Sequence, residues 1–345
     1  MKRITRPLRK LVVAAALTAG AFAAQAQDKT FEWKYSHWVP PTHPLHGILL
    51  EWARSIDAAS KGTIKVSVFP AQQLGKAFDH YDMVQKGIAD VAYISTGYQA
   101  GRMLVSGAGQ LPFTMSNAEG GSRAFDEWYR PYAAKDMPGV KLCYLYTHDV
   151  ASLHSKKEIR TPDQLKGMKV RPAHAVVAAW MTSIGATTVT VSAPESREAL
   201  ERGVADAITF PWGSLFGFRI DGITKYHIDA PMYVATFATI INQDKYDALS
   251  PAQKKVVDDH CTNDWAARTA RDWARWENDG RQKIKAPGSG HTIVTLTPAE
   301  LAQWRKSAEP VVQQYKDEVK KAGYDPDKVL GDFRAALKKH NALVE

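Results

Sequence analysis

The chain has 345 residues, a formal charge of +9 and two cysteines. That length accommodates two domains of ordinary size. Five of the cations, Lys2, Arg3, Arg6, Arg9 and Lys10, sit in the first ten residues, so the charge excess is largely a property of the N-terminus and leaves no footprint for nucleic acid.

The basic start is followed by an apolar run from Leu11 to Ala24 and by Ala24-Gln25-Ala26. These are the three parts of a secretory signal, with cleavage expected after Ala26. The run is shorter than the roughly 20 apolar residues that span a bilayer. Arg6 and Arg9 are not adjacent, as twin-arginine export would require. No later stretch is apolar enough to cross a membrane, so a soluble exported protein is expected. In an oxidising compartment Cys143 and Cys261 could pair. Cys143 lies in a strand-like run and Cys261 in a helical one, and a bridge and two buried thiols both stay open.

Phe31 to Trp38 alternates apolar and polar residues and reads as a strand. A helix from about Pro44 follows, with Leu45, Ile48, Leu49, Trp52 and Ile56 on one face and Gly62 beyond its end. Thr63–Phe69 is a second strand, Asp79–Lys86 a helix, and Asp90–Ser95 a third strand. This alternation argues an α/β class with a mainly parallel sheet. Asn117–Ala134 reads as a helix and Val140–Tyr146 as a strand. A second strand–helix series spans about 150–235, with strands at 169–171, 187–191 and 206–210. Tyr233–Asn242 has the β-branched content of a buried strand. The longest helical run, about 251–283, would extend roughly 50 Å, enough to run along two lobes. A strand at 291–296 and helices near 298–322 and 326–341 complete the chain. The mature part shows no internal repeat and no low-complexity segment.

No nucleophile elbow, Walker loop, dinucleotide turn or HExxH pattern occurs, and no cofactor is expected. His43-Pro-Leu-His46 with His37 nearby is a weak metal pattern without a carboxylate. Two cysteines without CxxC spacing make no zinc site. An exported two-lobed α/β chain with a long connecting helix has the architecture of a hinge-closing receptor.

Particular segments resemble a family. Ser36–Pro44, Phe69–Gly75, Gln85–Asp90, Leu111-Pro-Phe113, Thr161–Arg171, Ile184-Gly-Ala186 and Leu200–Asp206 are similar, in order, to segments of the solute-binding proteins of TRAP transporters, the DctP family. The resemblance implies a periplasmic receptor with two α/β lobes, joined by crossing strands and a long helix spanning both. The lobes would comprise 27–149 with about 236–277, and 150–235 with about 278–345. It further implies capture of a small organic acid by lobe closure and delivery to the TRAP membrane permease subunits. The family's carboxylate anchor falls on Arg171, whose planar guanidinium can grip a carboxylate with two parallel charge-assisted hydrogen bonds.

Two departures from better-known members bear on the ligand. The upstream second arginine is missing, its place falling at Ala151, although His148 and His154 are near. The segment that carries a ligand amide reads Thr209-Phe-Pro-Trp-Gly213, which puts Phe210 and Trp212 by the cleft. A monocarboxylate with an apolar or aromatic body is therefore expected rather than a dicarboxylate. Strand ends facing the cleft add Ser95, Thr96 and Tyr98, and His37 and Trp38. The competing readings are an exported enzyme using His37, His43 or His46, and a sensory receptor. A monomer is expected, with a dimer as the alternative.

Overall fold

The structure, a computed structural model, describes residues 28–99 and 101–344. The leader read at residues 1–26, with its cleavage after Ala26, lies outside the described residues.

The chain opens with β1 (Phe31–Ser36), α1 (Pro44–Ala59), β2 (Ile64–Phe69), α2 (His80–Gln85), β3 (Val91–Ser95), α3 (Ala118–Asp136) and β4 (Val140–Thr147). The face expected on α1 is the one it buries: Leu45, Ile48, Leu49, Trp52 and Ile56. The helix starts where Pro44 supplies a preset φ and His43 caps it, Nδ1 accepting from the Leu45 N–H at 3.2 Å. Trp52 packs edge-on to Tyr35 of β1, with ring centroids 5.5 Å apart.

The second series runs β5 (Ser152–Ser155), β6 (Lys169–Arg171), α4 (Ala175–Ser183), β7 (Thr187–Thr188), α5 (Ser196–Glu201), β8 (Ala207–Phe210), α6 (Ser214–Gly217) and β9 (Tyr226–Ile228). Then follow β10 (Thr236–Asn242), α7 (Gln243–Asp247), α8 (Pro251–Asp259), α9 (Asn263–Lys285), β11 (Thr292–Val294), α10 (Pro298–Ser307), α11 (Glu309–Lys321) and α12 (Pro326–Lys339).

Two sheets result, in the orders β2-β1-β3-β10-β4 and β11-β9-β5-β8-β6-β7. Each is mainly parallel, as expected, with one reversed strand. In the first, β1 runs parallel to β2 and β3, but β10 is antiparallel to both β3 and β4. In the second, β5 is antiparallel to β8 and β9. The strands that break the parallel rule are the crossing ones: β5 enters the second sheet directly from β4 of the first, and β10 returns. A strand that continues straight out of one sheet enters the next against the local direction, which single-lobe βαβ logic does not anticipate.

Three boundaries differ from the sequence reading. The run at 251–283 is two helices, because Thr262 caps a fresh start by accepting the Trp265 N–H and Cys261 is tied elsewhere. That tie is a disulfide from Cys143 in β4 to Cys261, 118 residues apart. The run at 298–322 also splits at Ala308, with Pro310 opening α11. Finally, α12 packs on α3 rather than with the second sheet, against the expected grouping of about 278–345. Val329, Phe333 and Leu337 form a stripe at helical spacing, and Phe333 meets Trp128 at 4.6 Å and Phe125 at 6.1 Å.

The long helix α9 does span both layers. It packs on α3, β4 and α1 on one side and on α6 and β11 on the other. The crossing is close: a Cβ on Gly280 would lie 2.2 Å from the Cα of Gly213. Among the described residues no helix is long and apolar enough to cross a membrane.

Candidate functional site

Between the two sheets lies a narrow cavity. Trp38, Ser95, Tyr98 and Phe237 reach it from the first sheet and its strand ends. Arg171, Ala193, Phe210 and Phe218 reach it from the second, and Trp273 from the long helix.

Arg171 ends β6 and is 1% exposed. Its Nε donates to the Val191 carbonyl at 3.1 Å, and Nη2 donates to the Tyr98 hydroxyl at 3.1 Å. Nη1 has no protein partner, and no carboxylate lies within ion-pair range among the described residues. The guanidinium sits over the Phe210 ring, 5.5 Å from its centroid. A buried cation without an ion pair is costly, and an arriving anion offsets that cost. Tyr98 Oη also accepts the Ala193 N–H at 2.9 Å. Having accepted twice, the phenol keeps its own proton to donate. Because Tyr98 follows β3 while Arg171 and Ala193 belong to the other layer, these bonds also hold the two sides together.

Around the cavity, polar atoms on aromatic walls lack protein partners: Trp38 Nε1, Ser95 Oγ, His43 Nε2 and Tyr233 Oη are all buried and unpaired. Unpaired buried donors are rare because each forfeits its hydration. The walls themselves are rings. Trp38 lies 5.8 Å from Tyr98 and 6.4 Å from Phe237, and Phe237 lies 5.2 Å from Trp273. Phe210 meets Phe218 edge-on at 5.5 Å.

Arg171 is the only Lys or Arg among the lining residues, which include no acid. The two lining histidines do not add charge. Burial pushes His43 down to about 3 and His148 down to about 4. His148 is also committed to backbone, accepting the Ala235 N–H through Nε2 at 3.0 Å and donating through Nδ1 to the Asp149 carbonyl. Below the walls, Glu277 is buried and accepts from Ser214 Oγ (2.6 Å) and Trp273 Nε1 (2.7 Å), which fixes two lining residues. Burial raises its carboxyl to about 7.

Of the eight residues expected at the cleft, the structure brings together Arg171, Phe210, Ser95, Tyr98 and Trp38. Three lie elsewhere. The His37 ring, just past the end of β1, shares a 2.9 Å hydrogen bond with His46 of α1. Thr96 points behind Ser95 into a network with Thr236 (2.6 Å) and Gln110 (2.9 Å). Trp212 follows Pro211, where β8 has ended and alternation no longer applies. Its ring packs on His154 at 4.9 Å and lies under the Arg281 guanidinium. His154 is also outside the cavity, donating through Nε2 to the Phe210 carbonyl at 2.9 Å.

The sequence reading missed Phe237, Tyr233, Trp273, Phe218 and His43 as cavity residues. Phe237 stands opposite Ser95 across the β3–β10 pairing, a register visible only once that antiparallel pairing is known. Trp273 reaches the cavity from α9, and its ring packs on His43 and Phe237. Among the described residues no group of three or more His, Cys, Asp or Glu could hold a metal.

The family model for bacterial extracellular solute-binding protein, family 7 (DctP) matches residues 35–318. Among solved structures, the chain is similar to a marine metagenome TRAP solute-binding protein specific for aromatic acid ligands, in complex with 3-hydroxybenzoate. The two are 28% identical, with a TM-score of 0.84 over 91% of this chain and 99% of that one. A TRAP solute-binding protein from Rhodoferax ferrireducens in complex with benzoate is 27% identical, with a TM-score of 0.85 over 90% and 99%. One from Bordetella bronchiseptica with bound (R)- and (S)-mandelate is 28% identical, with a TM-score of 0.83 over 90% and 99%. These relatives are binding proteins, which removes the enzyme reading. The chain belongs to the DctP family of extracellular solute-binding proteins, the receptors of TRAP transporters.

Proposed function

We propose that this receptor captures an aromatic monocarboxylate in the periplasm by lobe closure and delivers it to the TRAP membrane permease subunits. One observation carries the reading: Arg171 is buried without a carboxylate partner in a cavity whose other walls are rings and neutral polar groups. Arg171 Nη1 and the Tyr98 hydroxyl take the carboxylate, with Tyr233 Oη beside them. Trp38, Phe210, Phe237 and Trp273 sandwich the apolar body, and Ser95 offers a hydroxyl. A second carboxylate would find no second cation. The aromatic acids in the similar structures support the same class.

The lobes in this reading are the two sheet layers, with α12 in the first. Export uses the leader, cleaved after Ala26. Binding shifts an open–closed equilibrium, with the Tyr98 bonds to Arg171 and Ala193 made only on closure. The test is a thermal-shift screen of the mature protein against benzoate, hydroxybenzoates, mandelate, succinate and sialic acid. Aromatic monocarboxylates should raise the melting temperature with ligand concentration, as selective binding to the folded state requires. Succinate or sialic acid as the sole hit would refute the proposal.

A further inference from the structure

His43 stands at the end of the cavity remote from Arg171. The ring path from the guanidinium passes through Phe210 and Phe218 before reaching His43, with successive separations of 5.5, 5.5 and 6.2 Å. On the other wall His43 meets Trp273 at 5.3 Å. Its tautomer follows from the helix it caps. Nδ1 accepts the Leu45 N–H, so in the neutral ring the proton resides on Nε2. That Nε2–H is buried and has no acceptor in the protein.

Ser214 contributes the complementary group at the same end. It is two per cent exposed, lines the cavity, and opens the short helix whose Gly217 lies against His43 and Trp276. Its hydroxyl proton is committed to Glu277 at 2.6 Å, which leaves the Oγ lone pairs as acceptors. Together His43 and Ser214 offer one donor and one acceptor, the pair a hydroxyl group requires. A ketone or ether would satisfy only the donor, and bare ring carbon would satisfy neither.

From this juxtaposition we infer that the ligand is a hydroxylated aromatic acid, with its hydroxyl on the ring edge opposite the carboxylate and read by His43 and Ser214. The inference rests on the proposed carboxylate grip of Arg171 but adds a selection that Arg171 does not make. It makes His43 a specificity-determining residue rather than a catalytic or metal-binding one.

Matched ligands test it by calorimetry: benzoate, 3-hydroxybenzoate, 4-hydroxybenzoate and 4-methoxybenzoate, with the wild-type protein and with His43→Asn. Asparagine keeps an acceptor for the α1 cap and removes the Nε2–H. In the wild type the better hydroxybenzoate should bind about tenfold or more tightly than benzoate and than the methoxy analogue, because an unpaired buried donor penalises the analogue that leaves it bare. In His43→Asn that ratio should fall to about threefold or less. The wild-type comparison needs no variant and so does not depend on its folding. Benzoate equal to both hydroxybenzoates in the wild type overturns the inference while leaving the Arg171 reading intact. A hydroxyl preference unchanged by His43→Asn overturns the assignment to His43. Absence of binding by all four acids overturns both readings.

Discussion

Replacing Arg171 by Met separates a binding role from a structural one. In the folded protein the guanidinium makes two hydrogen bonds, to the Val191 carbonyl and the Tyr98 hydroxyl, and has no ion pair. Losing them costs about 1 kcal/mol each. Removing a buried, uncompensated cation returns a comparable or larger amount. The unliganded protein should therefore change in stability by less than about 2 kcal/mol, a balance of those terms. Binding should behave differently. Breaking a buried, charge-assisted grip on a carboxylate costs about 3–5 kcal/mol, or two to three and a half orders of magnitude in Kd. Urea titration of the ligand-free protein and calorimetry with the best aromatic acid measure the two effects. A loss of more than about 3 kcal/mol in ligand-free stability, with affinity within threefold of wild type, would show that Arg171 is a structural residue.

Two further outcomes follow from the geometry. Tyr98→Phe removes the hydroxyl that joins Arg171 to Ala193 and should weaken binding about tenfold, the worth of one hydrogen bond to a charged group. Trp212→Phe, behind the cavity, should change Kd by less than about threefold while costing about 1–3 kcal/mol of stability, and a larger binding effect would restore Trp212 to the site.

Acid should destabilise the fold. Burial holds His43 and His174 near 3, His148 and His154 near 4, and His227 near 2. Below pH 6.5 the unfolded chain takes protons that the folded chain refuses, so each histidine withdraws about 1.4 kcal/mol per pH unit. Glu277 acts oppositely: with its folded value raised to about 7, the stability it loses above that pH returns as pH falls toward its ordinary range. The net expectation is about 5 kcal/mol less stability at pH 5.5 than at 7.5, with net proton uptake on unfolding. Unchanged urea midpoints would contradict it. The Cys143–Cys261 bridge closes a long loop, so converting both residues to Ala should cost about 2–5 kcal/mol, read as a lower denaturant midpoint. An unchanged midpoint would remove the bridge from the stability account.

The sequence by itself determined the local elements and pointed to Arg171 as the proposed anchor. Proline and glycine punctuation bounded α1, apolar spacing gave its buried face, and the order of similar segments singled out Arg171. These signals are short-range and lie within one segment. Tertiary structure decided what depends on contact between distant segments. Alternation holds only while a strand continues, so Phe210 at the end of β8 faces the cavity while Trp212, past Pro211, turns away. Phe237 enters the site because β10 crosses back and sets it opposite Ser95. The break between α8 and α9 reflects a covalent tie to β4, and α12 finds its lobe through the rings of α3. Which side of a residue meets the ligand is a property of the packed layers, since the same apolar pattern serves a core and a binding wall equally.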